Sequence, residues 1–306
     1  MIIINALVPV LALLLVGVAL KRWQLTDAHF LKTSDRLIYY VFFPVMLFAK
    51  IGGAPLHLGG SWRFLAASAL AVVAVFLLSL LCIVRKPIPA FQAGSFSQGC
   101  YRFNTYIGMA VILNTLGEPG AQLYGVLVGL LIPLINVMAV SVLIWYGKGT
   151  HTWWERGVIT IRQLLANPLI LGCLAGIVYA QTVGRFPVFL DNTLKLLSQI
   201  TLPMALFSIG GLLTLQALRN HCNLALLASS LKLVLLPVIG FILLKLFQVS
   251  GLPLKVSMIF FSLPTSTASY ILSSQLHSDL ELVSASIVLS TLLSFGSMSV
   301  ILLLVG

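Results

Sequence analysis

Apolar residues follow one another in runs longer than 18 along the whole chain, and short stretches between the runs collect the charges. Such runs predict membrane-spanning helices, because a hydrocarbon core about 30 Å thick takes about 20 helical residues to cross. The pattern places ten spans at 2–20, 34–52, 62–84, 91–115, 119–147, 166–184, 190–213, 223–247, 253–275 and 280–304. The fold class expected is an all-α polytopic membrane protein.

The longest connector, "YGKGTHTWWERGVITIRQLLANP", separates spans five and six and divides the chain almost in half. It reads as a first five-helix repeat at 1–148, a cytoplasmic connector at 149–165 and a second five-helix repeat at 166–306. The connector is basic and carries Trp153 and Trp154, so it is read as a linker with interfacial aromatics or as a short helix on the membrane surface. The halves echo one another: "PVMLFAKIGG" at 44–53 in span two against "PMALFSIGG" at 203–211 in span seven, and "NTYI" at 104–107 in span four against "ASYI" at 268–271 in span nine. Five is an odd number, so the second copy enters the membrane upside down. The expected architecture is therefore a pair of inverted repeats, as in many secondary transporters.

Composition fits this picture. Of 306 residues 59% are hydrophobic and 8% are charged, with a mean hydropathy of +1.08; a soluble domain carries about 25% charged residues. The net charge of +11 is spread over the ends of apolar runs instead of gathered on one face, which argues for topology signals and against a nucleic-acid partner. Connectors after spans one, three, five and seven hold Lys21, Arg22, Lys32, Arg36, Arg85, Lys86, Lys148, Arg156, Arg162 and Arg219. The other side holds Lys50, Arg63, Arg185, Lys195, Lys245 and Lys255. Ten against six puts both termini on the non-cytoplasmic side. The first apolar run precedes its positive charges and shows no small-residue cleavage site, so it is expected to stay as a helix and not to act as a signal peptide. Cys82, Cys100, Cys173 and Cys222 lack metal-ligand spacing and read as small buried hydrophobes.

Against this background Arg102 stands out. It lies in the run "AFQAGSFSQGCYRFNTYIGMAVILNTLGEP" at 90–119, 16 residues after Lys86 and 16 before Glu118, which is mid-span. A central arginine costs about 2.5–3.5 kcal/mol on insertion scales. No acidic residue shares its depth, so its partner is either a cluster of backbone carbonyls or a ligand anion. Span four carries Gly94, Gly99 and Gly108 around Arg102, Asn104, Thr105 and Tyr106. Span nine reads "FFSLPTSTASYILSSQ", with Pro264, Thr265, Ser266, Thr267, Ser269 and Tyr270. Proline removes a backbone donor, and glycine and hydroxyl residues tolerate an unwound segment. Both spans are therefore expected to break near mid-depth, where half-helix N-termini face an anion. Asn136 of span five is either packing glue or a site donor. Lys232, 13 residues from both Arg219 and Lys245, is a second central cation: an anion contact, a tethered cation in a coupling step, or a cavity-lining residue.

Asp27, Asp35, Glu118, Glu155, Asp191, Asp279 and Glu281 all fall at span ends or in connectors, so no mid-depth carboxylate is available as a proton or sodium site. HExxH, GxSxG and Walker-type motifs are absent from the sequence, and His29, His57, His151, His221 and His277 lie near span ends. Neither an enzymatic activity nor a metal or cofactor is expected.

The stretch "QGCYRFNTYIGMAV" at 98–111, the "NPLILG" opening of span six and the proline-bearing spans two and seven resemble the auxin efflux carrier family, which includes plant PIN-type carriers and bacterial permeases for malonate or malate. The resemblance covers the whole chain and is similar to a compact bacterial member, because the long loop of many plant carriers is missing. It implies a multi-pass transporter of the bacterial inner membrane. Spans one, two, six and seven would form a dimerising scaffold, and spans three to five and eight to ten a mobile domain with an elevator-like motion. It also implies a substrate site where broken spans four and nine cross, at Asn104, Thr105 and Tyr106 and at Pro264 to Tyr270. The plant carriers mark the span-four break with a proline; glycines and Arg102 stand here instead, which favours a smaller and more strongly anionic substrate than indole-acetate. The expected function is transport of a small mono- or dicarboxylate, with an uncoupled anion uniporter or channel as the alternative.

Overall fold

The structure, a computed structural model, describes residues 2–53, 62–146, 154–155, 158, 161–162, 165–212 and 216–305. Most of the connector expected at 149–165, including Trp153, lies outside the described residues. The chain is built of helices: α1 (Ile2–Arg22), α2 (Ala28–Leu37), α3 (Phe43–Gly52), α4 (Trp62–Arg85), α5 (Ala90–Tyr101), α6 (Thr105–Tyr146), α7 (Pro168–Thr182), α8 (Val188–Leu212), α9 (Gln216–Ser230), α10 (Leu236–Leu246), α11 (Gly251–Phe261), α12 (Ala268–Gln275) and α13 (Leu280–Val305). No strand occurs among the described residues. Five helical stretches, Trp62–Arg85, Thr105–Tyr146, Val188–Gly211, Asn220–Leu246 and Leu280–Leu304, are long and apolar enough to cross a membrane by length and composition.

Proline and capping residues set where the helices bend and begin. Short π-helical turns at Ile38–Phe42 and Leu231–Leu235 precede Pro44 and Pro237. The extra residue in each turn lets the helix continue past a ring that would otherwise clash with the carbonyl four residues back. Asn167 caps α7 by accepting from the backbone N–H of Leu169 at 3.0 Å, with Pro168 as the first helical residue. Asp279 caps α13 through the N–H groups of Glu281 and Leu282, each at 3.0 Å. The Asp279 carboxylate is thereby committed to a helix start and to Gln92, whose amide donates to it at 2.9 Å.

Residue contacts divide the chain into two compact units. The first comprises Met1–Ser61, Met109–Ile132 and Gln163–Leu213; the second comprises Trp62–Gly108, Pro133–Arg162 and Thr214–Gly306. In the first unit, glycine lets backbones touch. A Cβ on Gly17 would lie 2.0 Å from the Phe207 carbonyl oxygen, and one on Gly210 would lie 2.0 Å from that of Leu14. This close seam joins α1 to α8, as small residues do between helices in lipid. Gly172 meets the Pro44 backbone in the same way, where α7 packs on α3.

Helix α6 is not one rod. At 1.5 Å per residue its 42 residues would measure about 63 Å, twice a hydrocarbon core. Gly117 takes φ 63° and ψ −161°, open to glycine and strained for other residues, and Pro119 follows. A Cβ on Gly120 would lie 3.2 Å from Ile112 Cγ2, a distance two helical turns cannot give unless the chain folds back. The boundary predicted between spans four and five falls at this turn. Lys50, near the end of α3, pairs with Glu118 beside it.

In the second unit, α5 is buried along Ala93–Tyr101. Its glycines serve packing: a Cβ on Gly94 would strike Leu143 Cδ2 at 2.3 Å, and one on Gly99 would press on Ala228 and Ser286. Serine pairs link the helices, Ser68 to Ser257 at 3.2 Å and Ser79 to Ser97 at 2.9 Å.

Replacing Gly210 by leucine forces side-chain atoms into the Leu14 backbone. Overpacking costs typically about 1–3 kcal/mol, and a clash with backbone belongs at the upper end or above it. The variant is expected to melt well below wild type in detergent, measured by intrinsic fluorescence; an unchanged melting temperature would contradict the close α1–α8 seam.

Candidate functional site

Helix α5 ends at Tyr101 and α6 begins at Thr105, so Arg102, Phe103 and Asn104 form a non-helical break; α11 ends at Phe261 and α12 begins at Ala268. The break expected in span four thus falls at Arg102 itself, which is extended at φ −72° and ψ 130°. No glycine lies in it; Gly94 and Gly99 instead serve helix packing. The two breaks pair with each other. Phe103 and Thr265 form an antiparallel bridge, and the Asn104 N–H donates to the Pro264 carbonyl at 2.9 Å. The Phe103 ring meets that of Phe260 edge to face at 4.5 Å.

Most polar residues of the two breaks satisfy backbone groups. Asn104 Oδ1 accepts from the N–H groups of Tyr106 and Ile107, both at 3.1 Å, and so caps the start of α6. Ser266 Oγ accepts from the Ala268 N–H at 3.2 Å at the start of α12. The Thr265 N–H donates to Ser290 Oγ at 3.0 Å, and its hydroxyl donates to the Gly99 carbonyl at 3.0 Å. The half-helix N-termini expected to face an anion are thus partly closed by their own side chains.

Two neutral oxygens help to orient Arg102. Its Nη1 donates to Gln98 Oε1 and its Nη2 to Asn136 Oδ1, both at 3.0 Å. Neither amide neutralises the charge it holds in place. Gln98 is fully buried, and its Nε2 donates onward to Ser273 Oγ at 3.0 Å. A polar chain therefore runs from Asn136 through Arg102 and Gln98 to Ser273. Near it, Asn104 Nδ2 and Ser269 Oγ are buried without a hydrogen-bond partner. A buried polar atom left so costs about 1–3 kcal/mol.

Arg102 and Asn136 are thus brought together, and Asn104, Pro264 and Thr265 meet through the paired breaks. Thr105 is buried, Tyr106 and Thr267 are half-buried, and Tyr270 is 41% exposed. Lys232 has a different surrounding: it is fully buried, its amine donates to the Phe261 carbonyl at 3.5 Å, and it lies 5.7 Å from the Phe260 ring centroid. Its amine therefore meets the carbonyl end of α11, where the helix dipole is negative. Gln98, Ser273 and Ser290 were not singled out in the sequence. Gln98 alone carried a readable signal, lying four residues before Arg102 on the same helical face. Among the described residues no group of three or more His, Cys, Asp or Glu side chains is placed to hold a metal ion.

The model of the family described as membrane transport protein matches residues 148–302, half of the chain. A protein named as an uncharacterised transporter from Methanocaldococcus jannaschii is 23% identical over 312 residues, covering 96% of this chain and 96% of that protein. One from Rhizobium meliloti, named "Putative malonate transporter", is 25% identical over 280 residues, covering 89% of this chain and 86% of that protein. The family resemblance read from the sequence is borne out, and the chain belongs to the membrane transport protein family.

Proposed function

We propose that the protein is a secondary transporter for a small organic anion of the mono- or dicarboxylate class, with malonate or a malate-like acid as the first substrate to test. The observation that carries this reading is the guanidinium of Arg102, held at a helix break between Gln98 Oε1 and Asn136 Oδ1. A carboxylate meeting it gains charge-assisted hydrogen bonds, about twice the strength of neutral ones. The amide of Asn104 and the hydroxyl of Ser269, both buried and unpartnered, supply further donors for a second carboxylate or a hydroxyl. The relative named for malonate supports the same substrate class.

In this reading the chain is two inverted five-helix repeats of the bacterial inner membrane, with both termini on the non-cytoplasmic side and a homodimer as the working assembly. The first compact unit, which contains α1, α2, α3, α7, α8 and residues 109–132 of α6, is the scaffold; it takes in parts of spans four and five that the family resemblance assigns to the mobile domain. The second contains Arg102, Asn104, Asn136, Lys232 and the 264–270 segment, and it is the moving body of an elevator. Substrate and site move together, so the breaks hold their geometry through each cycle.

One observation favours a second reading, an uncoupled uniporter or channel. Lys232 sets its amine against the carbonyl end of α11, and no mid-depth carboxylate is available for a proton or sodium ion. Concentrative uptake driven by a proton or sodium gradient in proteoliposomes would exclude it, and downhill flux indifferent to both gradients would support it.

Arg102→Ala is expected to reduce malonate flux into proteoliposomes by at least about a hundredfold, consistent with losing a charge-assisted contact of about 3 kcal/mol. Its elution profile should stay monodisperse, with a lower melting temperature because Gln98 Oε1 and Asn136 Oδ1 lose their donor; wild-type flux would remove Arg102 from the site. Gln98→Leu removes one acceptor that orients the guanidinium and is expected to raise KM about tenfold with a smaller change in maximal rate. An unchanged KM would make Gln98 a packing residue only.

A further inference from the structure

Apart from the breaks, the second unit carries a groove of about 980 Å³ lined by α9, α10, α11 and α13 with the π-helical turn at Leu231–Leu235. Its walls are mostly apolar, with Phe241 and Met258 among the aliphatic residues and hydroxyls at Ser229, Ser230 and Ser297. Val234, Val238, Ile242, Leu293, Val300 and Leu304 line it and are each more than two-fifths exposed. Gly296 also lines it, and a Cβ added there would meet nothing within 4 Å, so the groove is open at this point. The charged lining residues are Lys245 and Lys255, with no carboxylate among the lining residues. Lys245 lies in the last turn of α10 and Lys255 in the second turn of α11, on either side of the short turn between those helices. Both cations therefore stand at one mouth of an apolar channel.

We propose that this groove holds one anionic glycerophospholipid, its acyl tail along the aliphatic wall and its phosphate between Lys245 and Lys255. Length and charge both select this occupant. From Lys245 to Ser229, at 1.5 Å per residue, the wall extends about 24 Å, enough for an extended fatty-acyl tail. Two lysines against no carboxylate leave the mouth positive, so a headgroup of net negative charge gains an attraction there that a zwitterionic one lacks. A small soluble carboxylate matches the mouth but leaves the apolar wall unfilled. The site is separate from the Arg102 break: none of the residues that hold Arg102 lines it.

The test uses the purified full-length protein, delipidated in detergent and titrated with phosphatidylglycerol or phosphatidylcholine of the same acyl composition, with native mass spectrometry and melting as readouts. Wild type is expected to retain a single phosphatidylglycerol at least tenfold more strongly than phosphatidylcholine, and to melt at a higher temperature with it. The Lys245→Gln/Lys255→Gln double variant should lose that preference, and Gly296→Phe should lose the bound lipid with both headgroups. Equal retention of the two lipids, or a double variant that keeps the preference, would overturn the proposal. A Gly296→Phe protein that keeps its lipid but changes oligomeric state would assign the groove to a second copy of the chain instead. Malonate flux through Arg102 is a separate readout, so failure here leaves the transport reading standing, and failure of that reading leaves the lipid titration interpretable.

Discussion

Backbone satisfaction in an apolar surrounding governs this structure. A helix broken inside hydrocarbon exposes N–H and C=O groups that water cannot reach, each costing several kcal/mol if left unmet. Here two broken helices meet one another's needs. The Asn104 N–H reaches the Pro264 carbonyl, Phe103 bridges to Thr265, and Thr265 is held from both sides by Ser290 and Gly99. Asn104 and Ser266 satisfy further N–H groups at the starts of α6 and α12. Neither break is self-sufficient, so each fixes the position of the other, and Arg102 inherits its place from the pair.

That constraint explains why small residues surround the site. For the breaks to approach within hydrogen-bonding distance, α5 has to lie against its neighbours without bulky side chains between. Gly99 faces Ala228 and Ser286, and Gly94 faces Leu143. The same economy of volume joins α1 to α8 in the other unit through Gly17 and Gly210. Van der Waals packing and interhelical hydrogen bonds hold such helices together, because burial from lipid supplies no hydrophobic gain.

Much of this was legible in the sequence, for identifiable reasons. Apolar runs of helical length located the helices, and the proline and hydroxyl run of span nine located its break; in span four the flanking glycines marked the broken helix, and the break itself falls at residues 102–104. Other features could not be read along one strand of letters. That Thr265 is tied to Ser290 depends on which helices meet, whereas Asn104 and Ser266 bond backbone N–H groups only two or three residues on. The glycines of span four suggested backbone freedom, whereas Gly94 and Gly99 provide room for neighbouring helices, and the extended residue is Arg102. Lys232 read as a central cation like Arg102, yet packing sets it against the α11 carbonyl end. Gln98 looked like one more polar residue in a small-residue helix until Arg102 and Ser273 were seen on either side of it.

The central claim is that the paired breaks bind the transported anion. Hydrogen–deuterium exchange of the detergent-solubilised protein with and without malonate tests it most directly, because ligand binding there should slow local opening of the backbone. The account predicts added protection at residues 102–107 and 264–270, with helix α2 unchanged. Malonate-dependent protection confined to other segments, with these two unaffected, would contradict it.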